Sequence, residues 1–337
     1  LETFRKLLTG FITGAVVFFL VYTAFVKREV DYKFVQPVMG TVFTVTIYGA
    51  PEDEAREAAQ KAFALAHNIE AELSRFREDS ELAVINRCQG APQKISGHFA
   101  DCLKQSIAVG DLTGGYFDIT FLPLYKAWDW RNNPQSEPSS DTIEALLKLV
   151  GYKKIDFDEK KSTVCLPAGM MIDFGGVAKG YAVFKMAESL SDAGIKDAIV
   201  NGGGDLIITS KRLYVIGVQD PFVKERGTLL GKIIIEGPAA VFTSGDYEQF
   251  SVINSKKYGH IIDPHTGCPA SGLKSATIID RASQGAPGIS AGVIAMGEKR
   301  AREFVESKNI AALLVNDSGE IYISEKFAGL AKFLKPE

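Results

Sequence analysis

The sequence predicts an α+β fold, with helices packed on mixed or antiparallel sheets, preceded by one N-terminal transmembrane helix. Three observations predict it. Segments of helical and strand period follow one another without the regular strand–helix–strand spacing of a doubly wound sheet. From Tyr214 to Ile279 the chain reads mostly as short strands bounded by turn residues. Residues 7–26 (LLTGFITGAVVFFLVYTAFV) carry no charge over a length that matches the ~20 residues a helix needs to span a bilayer.

The remaining composition sets bounds. With 337 residues, 46% of them hydrophobic, the chain can bury a large core in one or two domains. A net charge of −3 without a Lys/Arg-rich run leaves no electrostatic footprint for nucleic acid. Cys88, Cys102, Cys165 and Cys268 form no CxxC pair, which argues against a zinc site. In an exported protein they would allow one or two disulfides, unpaired by spacing alone. Arg5 and Lys6 precede the apolar run, and Lys27 and Arg28 follow it. No A-x-A site closes it, so an uncleaved signal anchor is favoured over a cleaved signal peptide. The run lacks cysteine, against a lipid anchor. The expected organisation is an anchor at 1–28, a polar tether at 29–37 and a single domain at 38–337.

Taken in order, 40–49 alternates Thr with Val, Ile and Phe, a strand with one buried face. Pro51 and the acids after it open an Ala- and Glu-rich helix to about Leu73. Asp79 or Ser80 caps a short helix that ends at Asn86. A helix covers 97–112, stopped by Gly114 and Gly115. Asp141 caps another that runs to Val150. Strands follow near 154–157 and 163–166. Residues 170–182 (MMIDFGGVAKGYA) then read as a strand emptying into a helix that runs to about Leu190. Further strands are expected at 197–200, 214–218, 229–235, 239–243, 249–253, 257–262 and 275–279. Helices at 283–296 and 298–307, strands at 311–315 and 320–323, and a closing amphipathic helix complete the chain.

The 170–182 stretch is also the first chemical signal. Adjacent glycines before a helix let backbone N–H groups approach a ligand, and the helix dipole favours phosphate there. The spacing fits neither a Walker loop nor GxGxxG. Gly202, Gly203 and Gly204 before Asp205 mark a bend or a ligand approach. Thr243-Ser-Gly-Asp-Tyr247, expected on a turn after a strand, offers hydroxyls and a carboxylate. His260-Ile-Ile-Asp-Pro-His-Thr-Gly267, just past a strand, sets a histidine near an acid, which suits proton transfer. Each taken singly is equally consistent with an ordinary surface turn.

Together with Met39-Gly-Thr41, the Phe76–Asn86 segment containing Asp79-Ser-Glu-Leu82, and Tyr116-Phe-Asp118 followed by Pro123 and Trp128, these motifs resemble one family in the same order over roughly 37–316. That family is the FAD:protein FMN transferases, the ApbE family. The resemblance implies an exported ApbE-like α+β protein in the bacterial inner membrane, with its soluble domain on the periplasmic side. It implies that FAD is cleaved with Mg²⁺, that FMN is attached through its phosphate to a Thr or Ser of an acceptor protein, and that AMP is released. The acceptor would be a flavoprotein of a membrane redox complex. Carried over by motif, Met39, Phe76, Tyr116, Phe117, Asp118, Asp173, Lys179 and Ile262 would line the FAD. Asp246 or His260 would take the proton of the attacking hydroxyl.

One segment departs from the family. Its metal-binding helix carries an aspartate and, four residues later, a threonine; here those positions hold Pro287 and Ala291. Phe184 likewise replaces an acid usual in the KGYAxD run. Ser290 and the backbone carbonyl of Gly176 remain as candidate metal ligands. Three readings stand at this point: an active transferase, a membrane-tethered FAD-binding protein that acts as a flavin carrier or in electron transfer, and a non-catalytic assembly partner of a redox complex.

Overall fold

The computed structural model describes residues 31–88, 90–130, 136–223, 227–246, 250–281 and 286–336. The expected anchor at 7–26 lies outside them. Among the described residues no helix is long and apolar enough to cross a membrane.

Strand β1 (Asp31–Val38) pairs antiparallel with β2 (Thr41–Tyr48). From Asp31 onward the expected tether is therefore a strand. Its polarity misled: an edge strand carries charge and proline on its exposed side, and Asp31, Lys33 and Pro37 are exposed here. In β2 the alternation holds, burying Phe43, Val45 and Ile47. Helix α1 (Glu52–Leu73) starts at Pro51 with three acids in its first turn, where the helix dipole favours negative charge. It buries a stripe of alanines together with Phe63 and Ile69. Ser80 caps α2 (Glu81–Arg87), its hydroxyl accepting from Ala83 N at 3.0 Å. After β3 (Gln93–Lys94) come α3 (Gly97–Leu112), α4 (Leu122–Trp128) and α5 (Ser140–Leu147). The α5 cap is Ser139, two residues before the expected Asp141, which instead sits in the first turn. Strands β4 (Asp156–Asp158) and β5 (Thr163–Cys165) form a small sheet with β3.

Helix α6 (Ala178–Asp192) packs along α1. The β-rich half follows: β6 (Ala198–Gly202), β7 (Asp205–Ile208), β8 (Leu213–Gln219), β9 (Leu229–Glu236), β10 (Ala239–Gly245), β11 (Phe250–Ile253), β12 (Lys256–Gly259) and β13 (Leu273–Asp280). The chain ends with α7 (Ile289–Ala295), α8 (Gly297–Ser307), β14 (Ala311–Asn316), β15 (Ile321–Ile323), α9 (Glu325–Ala328) and β16 (Ala331–Leu334). The main sheet runs β1-β2-β6-β7-β10-β13-β14-β15, with antiparallel pairing throughout. One face packs on α1, α6 and α7. A second core lies between the sheet and the β16-β9-β8 layer. An aromatic third, holding Trp128, Trp130 and Tyr258, supports the loop after β12. All four cysteines are free thiols.

Three further local expectations change. Residues 170–173 are not a strand: the Asn86 side chain donates to Ile172 O at 2.9 Å and accepts from Ile172 N at 2.8 Å. A side-chain amide thus replaces a neighbouring strand. Thr243, Ser244 and Gly245 lie inside β10, paired with Thr277, Ala276 and Ser275, and only at Asp246 does the chain turn. The closing amphipathic segment splits at Gly329 into α9, which buries Phe327, and β16, which pairs with β9.

Candidate active site

The start of α6, the β6–β7 and β1–β2 turns, the end of β10 and the loop after β12 enclose a cavity of about 620 Å³, within the size range of small-molecule sites. Met39, Phe76, Tyr116, Phe117, Asp118, Asp173, Lys179 and Ile262 all line it, as do His260, Gly176 and Ser290. Of the residues that the sequence assigns a binding, catalytic or metal role, Asp246 alone is not among its lining.

The polar wall is built around Asp173. Its carboxylate is buried, accepting from Arg75 Nη1 at 2.7 Å and from Gly175 N at 3.0 Å, while its own N–H donates to Ile119 O at 2.8 Å. Arg75 lies over the rings of Phe76 at 4.8 Å and Tyr125 at 4.3 Å. Sequence reading missed Arg75. Its one signal is that it precedes Phe76, and an arginine beside an aromatic is common enough to pass unnoticed. Lys179 projects from the first turn of α6, with Nζ 3.5 Å from Gly175 O.

Asp118 also faces the cavity, but it carries structural work. Its Oδ1 accepts from Thr120 N at 2.8 Å and Thr120 Oγ1 at 2.6 Å, and Oδ2 accepts from Tyr152 N at 2.9 Å. Burial raises its pKa, an effect those hydrogen bonds oppose. Tyr116 meets His265 edge-to-face at 4.5 Å. Met39 sits at φ 52 in the two-residue turn between β1 and β2, a conformation rare for a side-chain-bearing residue. Strain of this kind clusters where a ligand is clamped.

His260 follows β12 directly and faces the cavity. Asp246 stands behind it. A Cβ on Gly259 would fall on Asp246 Oδ1, and that oxygen is buried with no hydrogen-bond partner among the described residues. Oδ2 pairs with Lys274 Nζ at 3.2 Å, and Lys274 also meets Asp317 at 3.1 Å. Burial pushes the Asp246 pKa up, and the Lys274 ammonium pulls it partly back.

The opposite wall, at 287–291, is apolar. Pro287 is buried and Ala291 lines the cavity, neither bearing a side-chain oxygen. Ser290 is buried, its hydroxyl 2.8 Å from Ser244 Oγ, and Thr243 Oγ1 is 3.0 Å from Thr277 Oγ1. Among the described residues no cluster of three or more His, Cys, Asp or Glu could hold a metal ion. Asp205, overlooked as a site residue, adds a half-buried carboxylate to the cavity. Mg²⁺ needs one or two carboxylates plus substrate phosphates and water. Asp205 and the exposed Gly176 line the cavity, whereas Pro287 and Ala291 carry no side-chain oxygen.

A family model, the ApbE family, matches residues 39–314. A FAD:protein FMN transferase of Vibrio cholerae is 27% identical over 303 residues, covering 86% of this chain and 90% of that protein. One of Haemophilus influenzae is 27% identical, covering 97% and 98%. Among solved structures, the ApbE protein of Thermotoga maritima superposes with a TM-score of 0.81 at 30% identity, over 90% of this chain and all (100%) of that one. The flavin transferase ApbE of Vibrio cholerae gives 0.78 at 26% identity, again over 90% and 100%. With four-fifths of its length matched by the family model, this chain belongs to the ApbE family.

Proposed function

We propose that the protein is a FAD:protein FMN transferase. The observation that carries this reading is the convergence of Met39, Phe76, Tyr116, Phe117, Asp118, Asp173, Lys179 and Ile262 on one cavity, with His260 on the same surface. Residues scattered over more than two hundred positions meet there, and relatives bearing that activity in their names match most of the chain.

The acceptor's Thr or Ser oxygen attacks the phosphorus of the FMN half of FAD. The new O–P bond forms as the diphosphate P–O bond breaks, and AMP leaves with the electron pair. We assign the hydroxyl proton to His260, because it faces the cavity while Asp246 is enclosed behind it. Asp246 supports the loop from the rear. Lys179 and the N–H groups opening α6 attract the diphosphate. Arg75, fixed by Asp173 and stacked on two rings, holds Phe76 and Tyr125 as walls for flat ring systems. A divalent cation, when bound, would neutralise charge on the diphosphate as it is attacked.

The uncharged run at 7–26 supports attachment to the bacterial inner membrane, with the domain on the periplasmic side and the acceptor flavoprotein in a membrane redox complex. Alkaline phosphatase fused after the run should be active; an inactive fusion contradicts that placement. FAD titrated into the purified protein should change flavin fluorescence, and AMP should appear only when an acceptor protein is added. A protein that leaves FAD fluorescence unchanged contradicts the assignment.

A further inference from the structure

We propose that the end of the main sheet opposite the cavity is a membrane-contact face, with Leu213 and Val215 of β8 seated at the headgroup level of the bilayer that the 7–26 run enters. This rests on the reading of that run as an anchor, and adds which face of the domain meets the lipid.

Five residue steps separate Val26, the last residue of the uncharged run, from Asp31, the first of β1. Fully extended, they reach at most about 18 Å. The Asp31 end of β1 is therefore held close to the bilayer, whatever path the chain takes between.

That end lies against the start of β8. Asp31 pairs with Tyr48, and the Tyr48 ring stands 6.2 Å from the Tyr214 ring and 5.1 Å from the Arg212 guanidinium. Asp197 ties the corner together. Its carbonyl accepts from Tyr48 N at 2.9 Å, and its carboxylate accepts from Tyr214 Oη at 3.1 Å.

The outward face of this corner is apolar. Leu213 and Val215 flank the buried Tyr214, and at 70% and 63% they are the two most exposed large hydrophobic side chains among the described residues. One exposed leucine is ordinary. Two on one strand face, where an anchor arrives, fit a surface that turns apolar at shallow depth. Their cross-strand neighbours are Glu236 and Ile234, and Lys332 of β16 continues the Val215 row. Such charged neighbours stay hydrated when the contact is no deeper than the headgroups.

The central strands set this face apart from the chemistry. Strands β2 and β10 run from the corner, at Tyr48 and Ala239, to the cavity, at Gly40 and Gly245. The eight residues of β2 put about 24 Å between the two ends. With Leu213 against the lipid, the cavity sits at the far end of the sheet, and the acceptor hydroxyl is met away from the bilayer.

The test uses the full-length protein in phosphatidylcholine vesicles, with lipid brominated on its upper acyl carbons as the probe that quenches tryptophan. Leu213→Trp adds a reporter at the proposed face. Val252→Trp adds one that is 54% exposed before substitution, on the β11–β12 hairpin that leads into the cavity at His260. Trp128 and Trp130 set a baseline common to both. The emission added by Leu213→Trp should fall about twofold in brominated vesicles, and that added by Val252→Trp should not change. Unquenched Leu213→Trp emission from protein that floats with the vesicles overturns the inference and leaves the anchor standing. Equal quenching at both positions also overturns it, since the domain then presents no preferred face. So does an emission change that follows protein density and not bromination, which assigns the face to a second copy of the chain. Protein that does not float with the vesicles overturns the anchor reading, and this inference with it.

Discussion

On one side of the cavity, the segment from Asp173 to Lys179 presents a buried ion pair, an exposed glycine pair and a lysine. On the other, the segment from Pro287 to Ala291 presents Gly288, a methyl group and a serine hydroxyl turned to Ser244, with the Pro287 ring buried behind them. Lys179 belongs to the first turn of α6, and Pro287 packs against that same turn at Gly180. The polar wall is interlocked: Asp173 bonds Arg75, Gly175 and, through its N–H, Ile119, so a change there leaves a charge buried without its partner. The 287–291 wall has fewer such ties: among the described residues its side-chain hydrogen bond is the one between Ser290 and Ser244, at 2.8 Å. The walls thus differ in how many protein contacts depend on each polar atom.

The comparison breaks first at Asp173. Asp173→Ala strands the Arg75 guanidinium and should cost about 3 kcal/mol of stability, seen as a lower midpoint in urea unfolding, with FAD affinity falling in parallel. A stable variant with normal affinity would mean that the ion pair does not organise the polar wall. His260→Asn should slow FMN transfer by about 100-fold while FAD affinity stays within a few-fold, measured by AMP release at saturating acceptor. Gly180→Ala forces a methyl toward Pro287 and Phe242 and should cost about 2 kcal/mol by overpacking, which thermal unfolding would report. Phe76 is 61% exposed, so Phe76→Ala should leave stability within about 0.5 kcal/mol while weakening FAD binding through the lost ring face.

The smallest effect concerns pH. The Asp246 pKa is raised by burial, so the folded state holds its proton more tightly than the unfolded chain. Stability from this group is present in acid and is lost as pH rises through the raised pKa. Asp246→Asn abolishes that loss. Its melting temperature relative to wild type should therefore improve as pH rises above the ordinary carboxylate range; a difference that stays flat with pH would show that Asp246 does not titrate with folding.

Much of the fold was legible because it rests on local period. The alternation of Phe43, Val45 and Ile47, the alanine stripe of α1 and the bounds of α3 follow from spacing and caps. What sequence hid was settled at long range. Residues 170–173 look like a strand, but Asn86, some eighty positions earlier, supplies their hydrogen bonds. Residues 31–37 look like a tether because an edge strand is polar for the same reason a linker is. The closing helix was split, its second half becoming β16 along the edge of β9. At the site, the residues that the motifs assign to FAD lie far apart in the chain, and the structure brings them to one cavity. Asp246 looked as available as His260, and only the packing against Gly259 shows it enclosed. Arg75 gave no usable signal, since its role depends on what Asp173 brings beside it; the glycine turn before Asp205 was visible, but not that its carboxylate lines the cavity.

The central claim is that the polar wall suffices for transfer although the helix ligands are missing. The direct measurement is intact-mass spectrometry of an acceptor protein of the Vibrio cholerae transferase, incubated with this protein, FAD and Mg²⁺. The account predicts one covalently bound FMN on a threonine or serine, with AMP released in equal amount. Tight FAD binding with an unmodified acceptor and no AMP would contradict it.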